Sequence, residues 1–348
     1  MIYFTSDYCE GCHPAILERL AQTNFEQTSG YGTDPHCAHA AQLIRRDCRA
    51  EGADVHFLVG GTQANLTVIA AALKPWQGAV AAQSGHIHVH ETGAVEATGH
   101  KILTLPSDNG KVQAGQVEEL CYLHRTDEAM EHTVQPGLVY ISNPTEYGTL
   151  YTKEELTALS ETCRKNGLYL FLDGARLGYG LETPGNDITM ADLAALCDVF
   201  YIGGTKVGAL FGEAVVIINE SLKKDFRYMM KRQGAMLAKG RLLGIQFETL
   251  FENGLYYEIA AHALSLADRL REAFRRAGYP FLVESPTNQL FPIVPDSLLA
   301  LMNEKYAVTY QRRVDKTHSA VRLCTSWATR ESDVDAFCAD LDAWTKGV

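Results

Sequence analysis

The sequence predicts an α/β fold, with a mostly parallel seven-stranded sheet flanked by helices and a smaller C-terminal α+β domain. Three observations carry this expectation. From about residue 54, short β-rich runs alternate with amphipathic stretches, the pattern of a parallel sheet with crossover helices. Several of those runs are apolar throughout, as strands covered on both faces must be. Beyond about residue 250 the alternation gives way to one long helical stretch, then strands, then a terminal helix. The expected organisation is an N-terminal arm (1–30), a large domain (31–250) and a small domain (251–348) that the arm is a candidate to join.

Each element has its own signal. "DVHFLV" (54–59) reads as a strand and "TQANLTVIAAAL" (62–73) as the helix after it. "GAVAAQ" (78–83) and "KILTLP" (101–106) are further strands, and "GKVQAGQVEELCYLH" contains a helix. "GLVYIS" (137–142) is a buried strand, and "TKEELTALSETCRKNG" (152–167) is a helix that Gly167 closes. "LYLFLD" (168–173) and "VFYIGG" (199–204) are buried strands joined by the short helix in "TMADLAALC", where Thr189 and Asp192 form a capping box. "AVVIIN" (214–219) follows so closely that it can run antiparallel. The long helix is "YEIAAHALSLADRLREAFRRAG" (257–278), closed by Gly278. "LVESPTNQLFPIVP", "YAVTYQ" and "AVRLCTSW" are the later strands, and "ESDVDAFCADLDAWT" is the last helix.

Composition narrows the function. Apolar residues make up 46% and charged residues 21%, which is ordinary for a water-soluble globular chain. A net charge of -11 argues against a nucleic-acid partner, and no apolar run approaches the ~18 residues of a membrane span. The N-terminus lacks the basic start and small-residue site of a signal peptide. Nine scattered cysteines, several inside apolar runs, suit reduced thiols in the cytoplasm.

Two motifs invite a metal or haem reading. "CEGCH" (9–13) has the letters of a c-type haem attachment or half a zinc site, but Pro14 follows and "AILERLAQ" then shows helical spacing. The stretch therefore reads as the lead-in to a helix. "HIHVHE" (86–91) would align His86, His88 and His90 on a strand, or only His86 and His90 on a helix. No further ligand stands at a defined spacing, so packing or an aromatic role against a flat ligand is the expectation, with no metal.

Four points fall at the ends of predicted strands, where open α/β sheets bind ligands. Gly60-Gly61-Thr62 opens a helix whose N–H groups suit a phosphate. Asp173 ends an apolar strand, and Lys206 stands in "YIGGTK" just after another. The fourth is the histidine cluster. A phosphate turn, an Asp and a Lys 33 residues later make the layout of a pyridoxal 5'-phosphate (PLP) site.

With these motifs the chain resembles the low-specificity L-threonine aldolases, in the PLP-dependent β-eliminating-lyase group of fold type I, the aspartate-aminotransferase fold. "GGTQAN" (60–65), "LDGAR" (172–176) and "GGTK" (203–206) are the sharpest parts of a likeness running from "FTSDY" to "VRLCTSWA". The resemblance implies that Lys206 holds the cofactor's aldehyde, that Asp173 meets its ring nitrogen and that Gly61 and Thr62 hold its phosphate. His86 would stack on the ring near the β-hydroxyl, and His132, eleven residues before Asn143, would be a second histidine there. Ser6, Arg176 and Arg322 would grip the substrate's carboxylate. The family is usually a dimer of dimers with sites at the subunit interface, so Lys239 or Arg232 of a neighbour would help to hold the phosphate. The implied reaction cleaves β-hydroxy-α-amino acids, such as threonine, allo-threonine or phenylserine, to glycine and an aldehyde. An aminotransferase or a β-eliminating lyase on the same scaffold is the alternative. Two departures stand out: Glu146 in "SNPTEY" replaces a histidine common in the family, and Lys206 lies in "GTKVGA" without a preceding serine.

Overall fold

The computed structural model describes residues 1–346. The chain opens with a two-residue strand, β1 (Ile2–Tyr3), then α1 (Pro14–Gln22) and α2 (Pro35–Asp47). The large sheet takes β2 (Asp54–Leu58), β3 (Gln77–Ala82), β4 (Ile102–Leu105), β5 (Gln135–Ser142), β6 (Tyr169–Asp173), β7 (Val199–Gly203) and β8 (Glu213–Ile217). Between them lie α3 (Gly61–Ala72), α4 (His86–Val89), α5 (Ala114–Thr126), α6 (Lys153–Asn166), α7 (Leu177–Glu182) and α8 (Met190–Leu196). After the sheet come α9 (Glu220–Lys223), α10 (Phe226–Arg232), α11 (Arg241–Glu252) and the long α12 (Leu255–Arg276). The C-terminal part adds β9 (Gln289–Leu290), β10 (Ile293–Pro295), α13 (Asp296–Lys305), β11 (Tyr306–Ala307), β12 (Thr309–Arg313), β13 (His318–Cys324) and α14 (Glu331–Lys346).

The strand order is β2-β8-β7-β6-β5-β3-β4, and β8 alone runs against its neighbours. Both faces of the sheet are covered, which explains the unbroken apolar runs. Along β5, Leu138 and Tyr140 join one core cluster while Val139 and Ile141 join the other. The same alternation divides Phe171 from Leu172 on β6 and Tyr201 from Ile202 on β7. A third core, around Phe4, Phe274, Tyr306 and Phe337, fills the C-terminal part. The start of the arm packs with it, because β1 pairs in parallel with β11, whereas Cys12 and Ile16 at α1 join a core of the large sheet.

Local chemistry places the helices. Thr152 and Glu155 close a capping box on α6, Thr189 and Asp192 do so on α8, and Gly167 ends α6 at φ 69°. "CEGCH" is the lead-in to α1: His13 Nδ1 accepts from the Ala15 N–H at 3.3 Å, and Pro14 opens the helix. Six helices have no counterpart among those read from the sequence: α2, α7, α9, α10, α11 and α13. In α2 the buried residues are His36, Cys37, Ala40, Ala41, Leu43 and Ile44, so only two large aliphatic side chains stand out among its small, charged and polar residues.

The ends of β6 and β7 are drawn together by glycines. Gly203 N–H donates to Gly174 O at 2.9 Å, and a Cβ on Gly174 would lie 2.0 Å from Tyr201 O. A Cβ on Gly203 would lie 2.3 Å from Ala175 O. Neither gap can open without moving backbone. Gly174→Ala should therefore cost about 3 kcal/mol, read as a lowered midpoint in urea unfolding; an unchanged midpoint would show that the strand ends yield freely.

Candidate active site

The C-terminal ends of β5 and β6 bring Ser142 and Asp173 side by side as cross-strand partners. Asp173 is buried and surrounded by donors. Tyr140 and Tyr201 hydroxyls donate to its two oxygens at 2.6 and 2.5 Å, the Ala175 N–H at 2.9 Å and Asn65 Nδ2 at 3.1 Å. Burial, with the Asp173 charge beside them, raises both phenols well above the ordinary tyrosine range, so they remain donors.

Lys206 rides on the loop between β7 and β8, and that loop is fastened at several points. Gly204 and Thr205 N–H groups donate to Gly212 O, Thr205 Oγ1 donates to Glu213 Oε1 at 2.8 Å, and Tyr179 donates to the Lys206 carbonyl at 2.6 Å. Burial and the nearby Arg176 charge lower the Lys206 amine below the usual lysine range, against the pull of Asp7, Asp173 and Glu213. Burial also raises the Glu213 carboxyl. Lys206 is thus placed to be a neutral, nucleophilic amine.

The third wall is α4. The "HIHVHE" stretch forms a four-residue helix, the alternative that pairs His86 with His90: their rings lie 5.5 Å apart, while His88 is exposed. His86 Nδ1 meets Glu91 Oε1 at 2.7 Å, and Asn65 Nδ2 joins that same oxygen to the Asp173 side. Burial works against a charge on His86, but the bond to Glu91 and the field of Asp173 outweigh it and raise its pKa.

Arg176 differs from the expectation for a free carboxylate clamp. Its Nε and Nη2 both donate to the fully buried Asp7, at 2.7 and 2.9 Å, and Asn288 donates to Asp7 as well. Only Nη1 has no partner among the described residues. Arg322 has no carboxylate partner among the described residues: Nη2 donates to Thr5 O at 2.9 Å and Nη1 to Gln289 Oε1 at 3.5 Å, whereas its buried Nε has no partner among them. Ser6 lies nearby with Oγ 3.4 Å from Cys9 Sγ, but it is on neither cavity wall.

Two adjoining cavities meet here. The inner one, ≈ 340 Å³, is bounded by Gly60, Gly61, Thr62, Asp173, Lys206 and Glu213, among others. The outer one, ≈ 790 Å³, reaches Tyr8, His90, Tyr147, Tyr310 and Arg322. His86, Glu146, Arg176 and Lys206 face both. His132 faces neither. It sits on an exposed 3₁₀ turn ahead of β5, at the far edge of the sheet from Ser142, about 25 Å of strand away. The interval between His132 and Asn143 is occupied by the extended strand β5, so within one subunit the two lie at opposite ends of it. Lys239 and Arg232 are exposed and away from both cavities.

PLP fits the inner cavity. The N-terminus of α3 presents Gly60 in extended conformation (φ -174°) with no side-chain cap, and a Cβ there would meet no atom within 4 Å, leaving open space for a phosphate. An acceptor for the ring nitrogen (Asp173), a flat imidazole (His86) and an amine (Lys206) stand round the same space.

The β-eliminating lyase family model matches residues 4–297. This chain belongs to that family. A low specificity L-threonine aldolase of Pseudomonas sp. is 30% identical over 98% of this chain and 97% of its own length. The Leishmania major threonine aldolase structure is 46% identical, with a TM-score of 0.97 over 99% of this chain and 100% of that one. Aspartate aminotransferase of Thermus thermophilus, at 14% identity and TM-score 0.70 over 100% of this chain and 92% of that one, shares the fold alone. The chain is accordingly a PLP-dependent lyase of fold type I, on the threonine aldolase branch of the family.

Asp7, Asn65, Glu91 and Glu213 were not foreseen as site residues. Asp7 gives a test. Burial alone would raise its carboxyl, but Arg176, Lys206 and the bonds from Arg176 and Asn288 hold it below the ordinary 3.8. A depressed pKa stabilises the fold above that ordinary value and is lost as pH falls through the folded one. Asp7→Asn should cost about 3–5 kcal/mol at neutral pH by leaving Arg176 without its anion. It should also flatten the loss of stability below pH 4 in denaturant titrations; an unaltered acid limb would rule out the Asp7 contribution.

Proposed function

We propose that the protein cleaves β-hydroxy-α-amino acids, such as L-threonine, L-allo-threonine or phenylserine, into glycine and an aldehyde. The observation that carries this reading is that Lys206 lines both cavities, the inner one together with Asp173 and the outer one together with Arg322. The aldolase names of its relatives support it. Bound PLP supplies an electron-accepting ring that takes up the bonding pair left on the α-carbon.

The chain's own residues do the rest. Gly61, Thr62 and the N-terminus of α3 would hold the phosphate, and Asp173 would accept a hydrogen bond from the ring nitrogen and so keep it protonated. Lys206, whose amine burial and Arg176 make readier to lose its proton, would hold the aldehyde. His86 covers one face of the ring. Arg322, on the wall of the outer cavity, and Arg176, through Nη1, would orient the substrate carboxylate and so fix which bond to the α-carbon is broken. Ser6 supports this grip through the arm, behind the Arg322 contact with Thr5.

The working form is a homo-oligomer. Lys239 and Arg232, exposed on their own subunit, are suited to approach a neighbour's phosphate. Nine unpaired cysteines, seven of them buried, fit a reducing compartment, and we place the enzyme in the cytoplasm.

With L-threonine, wild-type protein should release glycine and acetaldehyde in equal amounts. Lys206→Ala should lose both this activity and the yellow colour of the lysine-bound cofactor. Ammonia and a keto acid without glycine would instead establish β-elimination.

A further inference from the structure

We propose that Glu146 is the base that takes the substrate's β-hydroxyl proton, an assignment that rests on the aldol cleavage argued above. Glu146 lies on the turn after β5, where its Oε1 accepts two hydrogen bonds, from the His86 N–H at 2.8 Å and from Ser142 Oγ at 2.8 Å. These two donors fix the plane of the carboxylate. Oε2 has no hydrogen-bond partner among the described residues. Among those residues Glu146 is also the one carboxylate on the walls of both cavities; Asp173 and Glu213 face only the inner one.

The other candidates are worse placed. His132 is at the opposite edge of the sheet. His86 has Nδ1 occupied by Glu91, and that bond favours the charged imidazolium, which is an acid. His90 faces only the outer cavity. Glu146 shares the walls of both cavities with Lys206, so it borders the inner space of the cofactor and the outer volume open to a β-substituent.

The groups around it are His86 and Glu91 at α4, Tyr140, Tyr151 and Asp173 at the sheet, and Lys206 and Arg176 on the loops. Burial, with the Asp173 charge nearby, raises its carboxyl above the ordinary 4.5, despite the bonds from its own N–H, from Ser142 and from the His86 N–H. A raised carboxyl is a stronger base for a hydroxyl once it has lost its proton.

The step balances without a co-reactant. Oε2 takes the hydroxyl proton, the O–H pair becomes the second bond of the aldehyde carbonyl, and the Cα–Cβ bond breaks. One proton then returns to the α-carbon, giving glycine.

Glu146→Gln retains an oxygen for both fixed donors but removes the base. It should lower kcat on L-threonine ~10²–10⁴-fold, with KM little changed, and abolish the rise of kcat with pH on the acid side. PLP affinity and exchange of glycine's α-proton, which involve no hydroxyl, should stay at wild-type levels. Glu146→Asp, still a carboxylate, should recover part of the activity and the acid limb. The assignment is overturned if Glu146→Gln retains kcat within about tenfold. It is equally overturned if PLP affinity or glycine exchange falls in parallel, since the role would then be structural. A wild-type protein that exchanges glycine's proton yet releases no aldehyde from any β-hydroxy amino acid would remove the cleavage reading itself, a distinct result.

Discussion

The site depends on one buried carboxylate. Asp173 sits where apolar strands end, and no charge is tolerated there unless its lone pairs are satisfied. Tyr140, Tyr201, Asn65 and the Ala175 N–H supply that satisfaction from β5, β7, α3 and its own turn. Four elements are therefore tied to a single side chain, and each also forms part of the cavity wall or of the sheet behind it. Removing the tyrosines would expose the carboxylate's cost; removing the carboxylate would leave two buried phenols unpaired.

Around this anchor the charges are sorted into pairs. Arg176 is held by Asp7, and its charge in turn lowers the Lys206 amine, so the arginine acts on the lysine electrostatically whether or not it reaches a substrate. His86 lies between two carboxylates with different surroundings. Glu91, bonded to the imidazole ring, favours its charged form; Glu146, bonded to its backbone N–H, leaves the ring alone and has an oxygen to spare. Similar side chains thus take opposite roles because of what each one touches.

Much of this was legible in the sequence, and the limit has a physical form. Lys206 and Asp173 announced themselves because a charged residue directly after an apolar run is a local signal. Gly60-Gly61 and the capping boxes of α6 and α8 are local too. Asp7 was not legible, since its partner lies 169 positions away and "FTSDY" looks like any polar arm. Glu91 and Asn65 meet across 26 positions, and Glu213 read only as the polar start of "AVVII". His132 shows the converse: a count of residues is not a distance, and an eight-residue strand separates it from the cavities of its own subunit.

The reversed strand completes the argument. A parallel β8 would need a crossover of a dozen or more residues after β7, and its first residue would then stand at the opposite edge of the sheet. Because β8 runs backward, its first residue, Glu213, lies opposite both Gly203 on β7 and Leu58 on β2. The connection 204–212 therefore leaves and re-enters the sheet at one edge, closed on itself by the bonds to Gly212 O and Glu213. A lysine on such a loop is held from both sides, which a long crossover could not do. The break in parallel order is what gives Lys206 a fixed position over Asp173.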